Sequence, residues 1–221
     1  MRTKVILNIH KPIGWTSFDV VKKIRWIIKE KKVGHGGTLD PFAEGVLIIG
    51  TGQDTKKLTS ITTEDKSYTA IIKLGEITNT LDTEGEIIET QLVPELSQVT
   101  IENVLNSFLG STFQIPPMYS AKKVNGQRLY KLARKNIEVK REPVEIQIKH
   151  ISLDDFTEST ITFSVICSKG TYIRVLGKEI AEKLETVGYL TSLIRTQVGG
   201  YSIDESQSIQ EFEASWKLSI N

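Results

Sequence analysis

The spacing of apolar residues changes along the chain and predicts a mixture of helices and strands. A spacing of three and four residues follows Ser17, which we expect to cap a helix that carries Val20, Ile24 and Ile28. A second helix is predicted to begin at Thr100 and to end at Gly110. Further helical spacing occurs at residues 54–58, 128–135, 172–184 and 206–216.

Short segments rich in β-branched and aromatic residues predict the strands. These segments are residues 4–9, 46–49, 68–74, 144–151, 161–167 and 190–198. The strands and helices mix without a regular βαβ alternation. We therefore expect an α+β fold with a mixed, mainly antiparallel central sheet flanked by helices and loops.

Composition narrows the class of protein but does not identify it. Apolar residues make up 39% of the 221 residues and charged residues 25%, as in ordinary globular chains, so the chain is long enough to bury a core. A single cysteine, Cys167, excludes an internal disulfide and fits a reducing compartment. The apolar runs are short, and the first one stops at Asn8, so we expect neither a membrane span nor a signal peptide. We expect a cytoplasmic protein without a metal site, because the histidines, at positions 10, 35 and 150, are far apart in sequence.

The net charge of +1 conceals a polarised chain. Residues 22–32 hold six basic residues and one acid, and residues 122–141 hold eight basic residues and one acid. Residues 76–102 hold seven acids and no base. Basic blocks attract phosphate even when the total charge is near zero. Solvated helix and hairpin surfaces explain such blocks equally well.

A glycine-rich segment that precedes the strand at 46–49 carries one aspartate, Asp40. Its glycines allow a close approach of the backbone or a positive φ, and Pro41 restricts Asp40 to an extended conformation. A carboxylate held in this way could act as a nucleophile or a base. The alternative is an ordinary turn or capping aspartate. The segment has neither the P-loop pattern nor the dinucleotide-binding glycine spacing.

The segment GHGGTLDP at residues 34–41 resembles the catalytic motif of the TruB family of tRNA pseudouridine synthases. Further resemblances to this family follow in order along nearly the whole chain, at residues 11–17, 66–68, 80–85, 116–126, 167–174 and 193–201. The resemblance implies the pseudouridine-synthase fold and a single catalytic domain over residues 1–221, with a basic, thumb-like insertion at about 117–143. Many relatives carry a C-terminal RNA-binding PUA domain, which we expect this chain to lack.

The family converts the T-loop uridine at position 55 of tRNA to pseudouridine, an isomerisation in which the base leaves the ribose, turns and rejoins through carbon. The resemblance makes Asp40 the catalytic aspartate, which either attacks the substrate or removes a ribose proton. Arg174 matches the arginine that pairs with it, and a nearby guanidinium orients a carboxylate and favours its ionised form.

Further residues take roles from the same resemblance. Tyr68 matches a tyrosine that stacks on the target base and assists catalysis, and His35 matches a histidine that enters the T-loop when the base is flipped out. Leu193 matches an apolar residue near the base. Lys11 and Tyr172 match positions that support the site.

Asp82 matches a residue that either supports the tyrosine strand or touches the RNA. The basic insertion is expected to contact RNA phosphates, through Lys122, Lys123, Arg128, Lys131 and Arg134.

Three hypotheses follow. The first is a monomeric enzyme that acts on the T-stem-loop of tRNA and needs no metal, organic cofactor or obligate protein partner. The second is a non-catalytic RNA-binding module, and the third is an enzyme of the same fold that acts on another RNA. Taken singly, Tyr68 also fits a half-buried strand tyrosine and Arg174 a surface arginine on a helix.

Overall fold

The computed structural model describes residues 5–124 and 126–219. The strands are β1 (Ile6–Lys11), β2 (Val33–Gly36), β3 (Glu44–Thr51), β4 (Lys66–Leu74), β5 (Glu76–Thr78), β6 (Ile87–Thr90), β7 (Gly110–Gln114), β8 (Lys123–Val124), β9 (Gln127–Arg128), β10 (Val144–Phe156), β11 (Thr160–Cys167), β12 (Gly188–Val198) and β13 (Tyr201–Ser202). The helices are α1 (Ser17–Ile28), α2 (Leu58–Ile61), α3 (Gln98–Asn106), α4 (Leu129–Ala133), α5 (Ile173–Lys183) and α6 (Ile209–Ser219), and a 3-10 turn covers Gly52–Lys56.

The chain divides into two compact units. Unit 1 contains the chain up to Tyr68 and again from Leu193 onward, and unit 2 contains Thr69–Ser192. Strands β4 and β12 each have one end in unit 1 and the other in unit 2.

In unit 1 the sheet is built around β3. Strands β1 and β2 both run antiparallel to it, with Ile9 opposite Leu47 and His35 opposite Ile49. The end of β12 runs parallel to the start of β3, and β13 then turns back antiparallel to β12. Helices α1 and α6 pack their apolar faces on this sheet, and the shared core is Ile9, Val20, Val21, Ile24, Ile28, Val33, Leu47, Ile49, Ile209 and Phe212.

In unit 2 the sheet order is β12, β4, β11, β10 and β7. Strand β10 is antiparallel to both of its neighbours, β11 and β7. The alternation of buried and partly exposed residues along β4 and β11 is regular, so one face of each strand lies in the core. Together with the pairing in unit 1, this confirms the predicted α+β class and the mainly antiparallel pairing.

The structure corrects the predicted start of the first helix. Thr16, rather than Ser17, is the N-cap, because the Thr16 side chain accepts a hydrogen bond from the Asp19 N–H while the Asp19 carboxylate accepts from the Thr16 N–H. This reciprocal capping needs an acid three residues after the cap, and only Thr16 has one. Helix α3 also begins earlier than predicted. Ser97 rather than Thr100 is its N-cap, because the Ser97 side chain accepts a hydrogen bond from the Thr100 N–H at 3.1 Å.

Several short strands were not predicted, among them β8, β9 and β13. Helix α3 ends at Asn106, and Gly110, expected to end that helix, instead begins β7, which pairs with β10. Strand β2 occupies part of the glycine-rich segment, and β5 and β6 form a hairpin. All of these strands are short, and pairing with a neighbouring strand stabilises them more than local preference does.

No helix within residues 5–124 and 126–219 is both long enough and apolar enough to cross a membrane.

Candidate active site

Asp40 lies in unit 1, on the connection between β2 and β3. Its carbonyl accepts a hydrogen bond from the Ala43 N–H at 3.2 Å, which closes a turn over Pro41. The residue is partly exposed, whereas Leu39 and Phe42 on either side are buried. The carboxylate is therefore carried by a short, anchored turn at the edge of the unit 1 core.

Arg195 holds the part of this connection that precedes Asp40. Its guanidinium is buried and donates to the carbonyl oxygens of Val46 at 2.7 Å, Gly37 at 3.2 Å and Thr38 at 3.5 Å. A buried arginine that serves backbone carbonyls fixes the path of the chain, because losing it would leave those carbonyls unsatisfied.

Lys11 holds the part that follows Asp40. Its fully buried ammonium donates to the carbonyl oxygens of Trp15 at 2.6 Å, Pro12 at 2.8 Å and Pro41 at 3.4 Å. Lys11 and Arg195 thus bracket Asp40 with two buried positive charges, and buried cations favour negative charge in their neighbourhood. The supporting role of Lys11 stays a prediction.

The start of α1 provides a third anchor for the connection. The Ser17 hydroxyl accepts from the Leu39 N–H at 2.8 Å and donates to the Leu39 carbonyl at 3.1 Å. The Gly14 N–H donates to the Pro41 carbonyl at 2.8 Å. Ser17, expected to cap the helix, therefore ties the helix to the Asp40 segment.

Two glycines of the segment adopt the backbone conformations expected of them. Gly37 and Gly45 have φ values of +86° and +102°. A Cβ on Gly45 would lie 2.3 Å from the carbonyl oxygen of Arg195, so the glycine allows β3 and β12 to approach. The close approach at Gly45 is thus to another strand of the protein.

The remaining unit 1 candidates lie on strands. Tyr68 on β4 is 9% exposed and Leu193 on β12 is 5% exposed. His35 on β2 is partly exposed. Their roles in RNA binding stay predictions.

Arg174 lies in unit 2, in the first turn of α5, with 3% of its surface exposed. Its guanidinium donates to the carbonyl oxygens of Thr80 and Tyr119, both at 2.7 Å, and lies 3.3 Å from a carboxylate oxygen of Asp82. The structure therefore excludes the surface-arginine alternative. The pairing of Arg174 with Asp40 stays a prediction.

Asp82 is buried in the turn that joins β5 to β6. One of its carboxylate oxygens accepts from the Thr80 hydroxyl at 2.6 Å and from the Glu84 N–H at 3.0 Å, while the other faces Arg174. The Thr78 hydroxyl donates to the Asp82 carbonyl at 2.7 Å, which fixes the turn from the other side. The Asp82 carboxylate thus forms a buried ion pair with the Arg174 guanidinium.

Tyr172 immediately precedes α5, and a buried glutamine fixes its backbone. The side chain of Gln114 accepts from the Tyr172 N–H at 2.7 Å and donates to the Tyr172 carbonyl at 3.2 Å. This two-way contact sets the position from which the helix with Arg174 begins.

The basic segment of unit 2 forms the β8–β9 hairpin followed by α4. Lys123, Arg128, Lys131 and Arg134 are exposed, whereas Lys122 is partly buried. The Leu129 N–H donates to the Lys122 carbonyl at 2.9 Å, so the helix folds back on the hairpin. Asn125, whose pairing with Gly126 in the sequence predicts a tight turn, lies outside the described residues.

Arg195 and Gln114 received no role from the sequence. Both are polar residues at buried positions of strands. The charge of Arg195 in the predicted strand at 190–198 was the available signal, since a buried arginine requires partners.

Comparison with known proteins gives a matching family model and similar proteins that share one name. Residues 25–173 match the family model described as TruB family pseudouridylate synthase, N-terminal domain. The tRNA pseudouridine synthase B of Bacillus subtilis (strain 168) is 46% identical over 215 residues, covering 95% of this chain and 70% of that protein. The protein of the same name from Clostridium tetani (strain Massachusetts / E88) is 46% identical over 206 residues, covering 93% of this chain and 71% of its own length.

Among solved structures, the crystal structure of a Cbf5-Nop10-Gar1 complex contains a similar chain. The TM-score is 0.77 at 26% sequence identity, over 98% of this chain and 56% of the matched chain.

Proposed function

Because this chain belongs to the TruB family of pseudouridylate synthases, we propose that it is a tRNA pseudouridine synthase that isomerises the T-loop uridine at position 55. The observation that carries the proposal is the Asp40 segment, whose carbonyls are held by the buried cations of Lys11 and Arg195. Such anchoring suits a carboxylate that must meet a reacting atom in one orientation.

The proposed reaction rearranges the bonds of one nucleotide. The bond between ribose C1′ and base N1 breaks, the base turns, and C1′ bonds to C5 of the base. C5 then loses its proton and N1 gains one, so substrate and product have the same composition. Asp40 acts ionised, either as a nucleophile toward the substrate or as the base that removes a ribose proton.

We propose that Arg174 pairs with Asp40 and keeps it charged and oriented. Support comes from the burial of Arg174, whose guanidinium is fixed by Asp82, Thr80 and Tyr119. A guanidinium held on several sides loses little further freedom when it also binds a carboxylate. Asp82 is then a positioning residue that acts through Arg174, and Gln114 positions the same helix through Tyr172.

The target base is proposed to stack on Tyr68 after it leaves the RNA, with Leu193 packed beside it and His35 entering the space that the base vacates. The exposed cations of the basic segment are proposed to bind phosphates, with Lys123, Arg128, Lys131 and Arg134 as the main contacts and Lys122 behind them.

The direct test follows tritium release from a T-stem-loop RNA labelled at uridine C5, because only attack through C5 expels that hydrogen. The wild-type protein is expected to release tritium and to form pseudouridine detectable by mass spectrometry. Asp40→Asn is expected to bind the RNA with wild-type affinity and to release none. The matched control is Asp54→Asn, which alters an aspartate paired with Lys57 and should leave turnover unchanged.

The outcomes separate the competing functions. Unchanged RNA in the presence of folded wild-type protein contradicts the proposal and favours a non-catalytic RNA-binding module. Conversion of an unrelated hairpin in preference to the T-stem-loop favours an enzyme that acts on another RNA. Turnover that persists in Asp40→Asn rejects Asp40 as the catalytic group.

We further propose that the chain acts in the cytoplasm as a monomer, without a metal, cofactor or obligate protein partner. Purified protein alone should then convert the RNA, and EDTA should leave the rate unchanged. Light scattering coupled to gel filtration should give the mass of a single chain, 24.8 kDa.

A further inference from the structure

One face of α1 carries aromatic and basic residues in alternation. Phe18, Lys22, Trp26 and Lys29, here called the α1 stripe, follow one another at intervals of four, four and three residues. These intervals place them on a single side of the helix and its C-cap. Phe18 is 52% exposed and Trp26 is 66% exposed, and both lysines are exposed.

The stripe lies opposite the face of α1 that forms the unit 1 core. Val20, Val21, Ile24 and Ile28 on that other face are buried against the sheet and α6. The two aromatic rings are therefore not needed for packing of the helix, and two large exposed rings with lysines between them indicate a binding surface.

The contacts of the rings suit a ligand with aromatic bases and negative charge. The Lys22 ammonium lies 5.0 Å from the ring centre of Phe18, and that of Lys23 lies 4.4 Å from the ring of Trp26. A stacked nucleobase interacts more strongly with a ring than an exposed ammonium does. A nucleotide stacked on Phe18 would therefore displace the Lys22 ammonium from the ring and leave it next to the phosphate of that nucleotide. The Lys23 ammonium is also bound to Glu213, at 2.8 Å.

The charge around the stripe points to the same ligand. Residues 22–32 carry six basic residues against one acid, and Lys31 and Lys32 are exposed just beyond the helix. The ion pair of Lys22 with Asp19 is 3.4 Å long and largely exposed, so it competes weakly with a phosphate. A lipid surface would need a wider apolar face than two rings provide.

The first turn of α1 contacts the Asp40 segment. Ser17, adjacent to Phe18, is hydrogen-bonded to Leu39. From Phe18 to Lys29 the helix rises by about 16 Å. The end of α1 that carries Phe18 is thus the end tied to the Asp40 segment.

We propose that the α1 stripe is a second RNA-binding surface, which takes unpaired nucleotides of the substrate tRNA outside its T-stem-loop. This inference rests on the proposed function. The paired bases of the T-stem present no free ring faces for stacking, and the T-loop is assigned to the Asp40 segment. The nucleotides that stack on Phe18 and Trp26 therefore come from another part of the tRNA.

The test compares the affinities of catalytically silent Asp40→Asn protein for two RNAs, a full-length tRNA transcript and its isolated T-stem-loop. Adding Phe18→Ala and Trp26→Ala should weaken tRNA binding by about tenfold or more while changing T-stem-loop binding by less than about twofold. The matched control adds Phe113→Ala and Leu218→Ala, which remove side chains that are 70% and 80% exposed elsewhere, and should leave both affinities unchanged.

A second variant tests the lysines without removing a ring. Lys22→Gln with Lys29→Gln should reduce the slope of log affinity against log salt by about 1.4 for tRNA, at roughly 0.7 for each lost contact with single-stranded RNA. An unchanged slope overturns the assignment of these lysines to phosphates.

Equal tRNA affinity of the aromatic variant and its control overturns the inference. So does weaker binding of both RNAs to the same extent, which would assign the stripe to the T-stem-loop. Binding of anionic phosphatidylglycerol vesicles that depends on the two rings, with unchanged tRNA affinity, would make the stripe a lipid-binding surface. The proposed function fails separately, if wild-type protein forms no pseudouridine in the T-stem-loop.

Discussion

Arg195 donates a hydrogen bond from its buried guanidinium to the carbonyl of Gly37, three residues before Asp40, at 3.2 Å. The same guanidinium donates to the Val46 carbonyl at 2.7 Å on the strand that follows Asp40. One side chain therefore ties together both ends of the connection that carries Asp40. Because Arg195 holds the backbone on both sides of the carboxylate, it is a positioning residue for the proposed reaction.

Replacement of Arg195 by lysine keeps the charge but removes the planar fork that reaches several carbonyls at once. We expect kcat on a T-stem-loop to fall by about tenfold or more, with KM changed by less than about threefold, because the carboxylate is misplaced while RNA contacts persist. Initial rates measured over a range of RNA concentrations give both values. Arg25→Lys, which alters a guanidinium bonded to Val33, is the control and should leave kcat unchanged. A folded Arg195→Lys variant with wild-type kcat would show that Arg195 has no positioning role.

Gly45 and Gly110 provide a matched pair for the close approach of β3 to β12. Their φ values, +102° and +99°, are nearly equal, but a Cβ on Gly45 would lie 2.3 Å from the Arg195 carbonyl, whereas one on Gly110 meets nothing within 4 Å. Both alanine variants should lose about 1–3 kcal/mol through backbone strain. Gly45→Ala should lose about 1–3 kcal/mol more from overpacking. Urea unfolding measures both values, and equal losses would contradict the role given to this approach.

An element of this fold could be predicted from the sequence when residues close together in the chain determine it, and was missed when distant residues determine it. The periodicity of apolar residues predicts α1 because its buried face repeats within one helix. The local motif at residues 34–41 predicts a special segment because glycine and proline act on their own backbone. Strand β7 was missed because Gly110 resembles a helix end, and only its pairing with β10, more than thirty residues later, makes it a strand.

The anchoring of the candidate site was less predictable for the same reason. Arg195 is about 150 residues from the carbonyls that it serves, and no local pattern indicates which backbone oxygens it meets. Asp82 is more than ninety residues from Arg174. Sequence resemblance could therefore nominate Arg174, but the burial and partners that fix it come from the fold.

The buried pair of Asp82 and Arg174 is expected to be sensitive to loss of one partner. Asp82→Ala removes a buried carboxylate that lies 3.3 Å from the guanidinium, so the free energy of unfolding should fall by about 3–5 kcal/mol. Turnover should fall as well, while RNA affinity is kept, because Arg174 is then less fixed. The control is Glu76→Ala, which breaks a partly exposed pair with Lys73 and should cost less than about 1 kcal/mol. A loss in Asp82→Ala no larger than in this control would contradict the importance of the pair.

Glu179 on α5 should make stability depend on pH, because burial is the main cause that raises its pKa above the ordinary value of 4.5. Well below that value the carboxyl is protonated in both folded and unfolded chains and contributes nothing. As the pH rises through 4.5, the unfolded chain ionises first, so stability falls until the folded carboxyl has ionised too. Glu179→Gln should therefore be more stable than wild type at neutral pH, and the gain should vanish in acid.

The carboxylate of Glu213 should affect stability in the opposite direction, because hydrogen bonds from Lys23 and Lys217 lower its pKa. Glu213→Gln should be less stable than wild type at neutral pH, with a difference that is lost as the pH falls below 4.5. Thermal unfolding across this range measures both, and a Glu179→Gln variant less stable than wild type at neutral pH would contradict the destabilising effect of burial on this carboxylate.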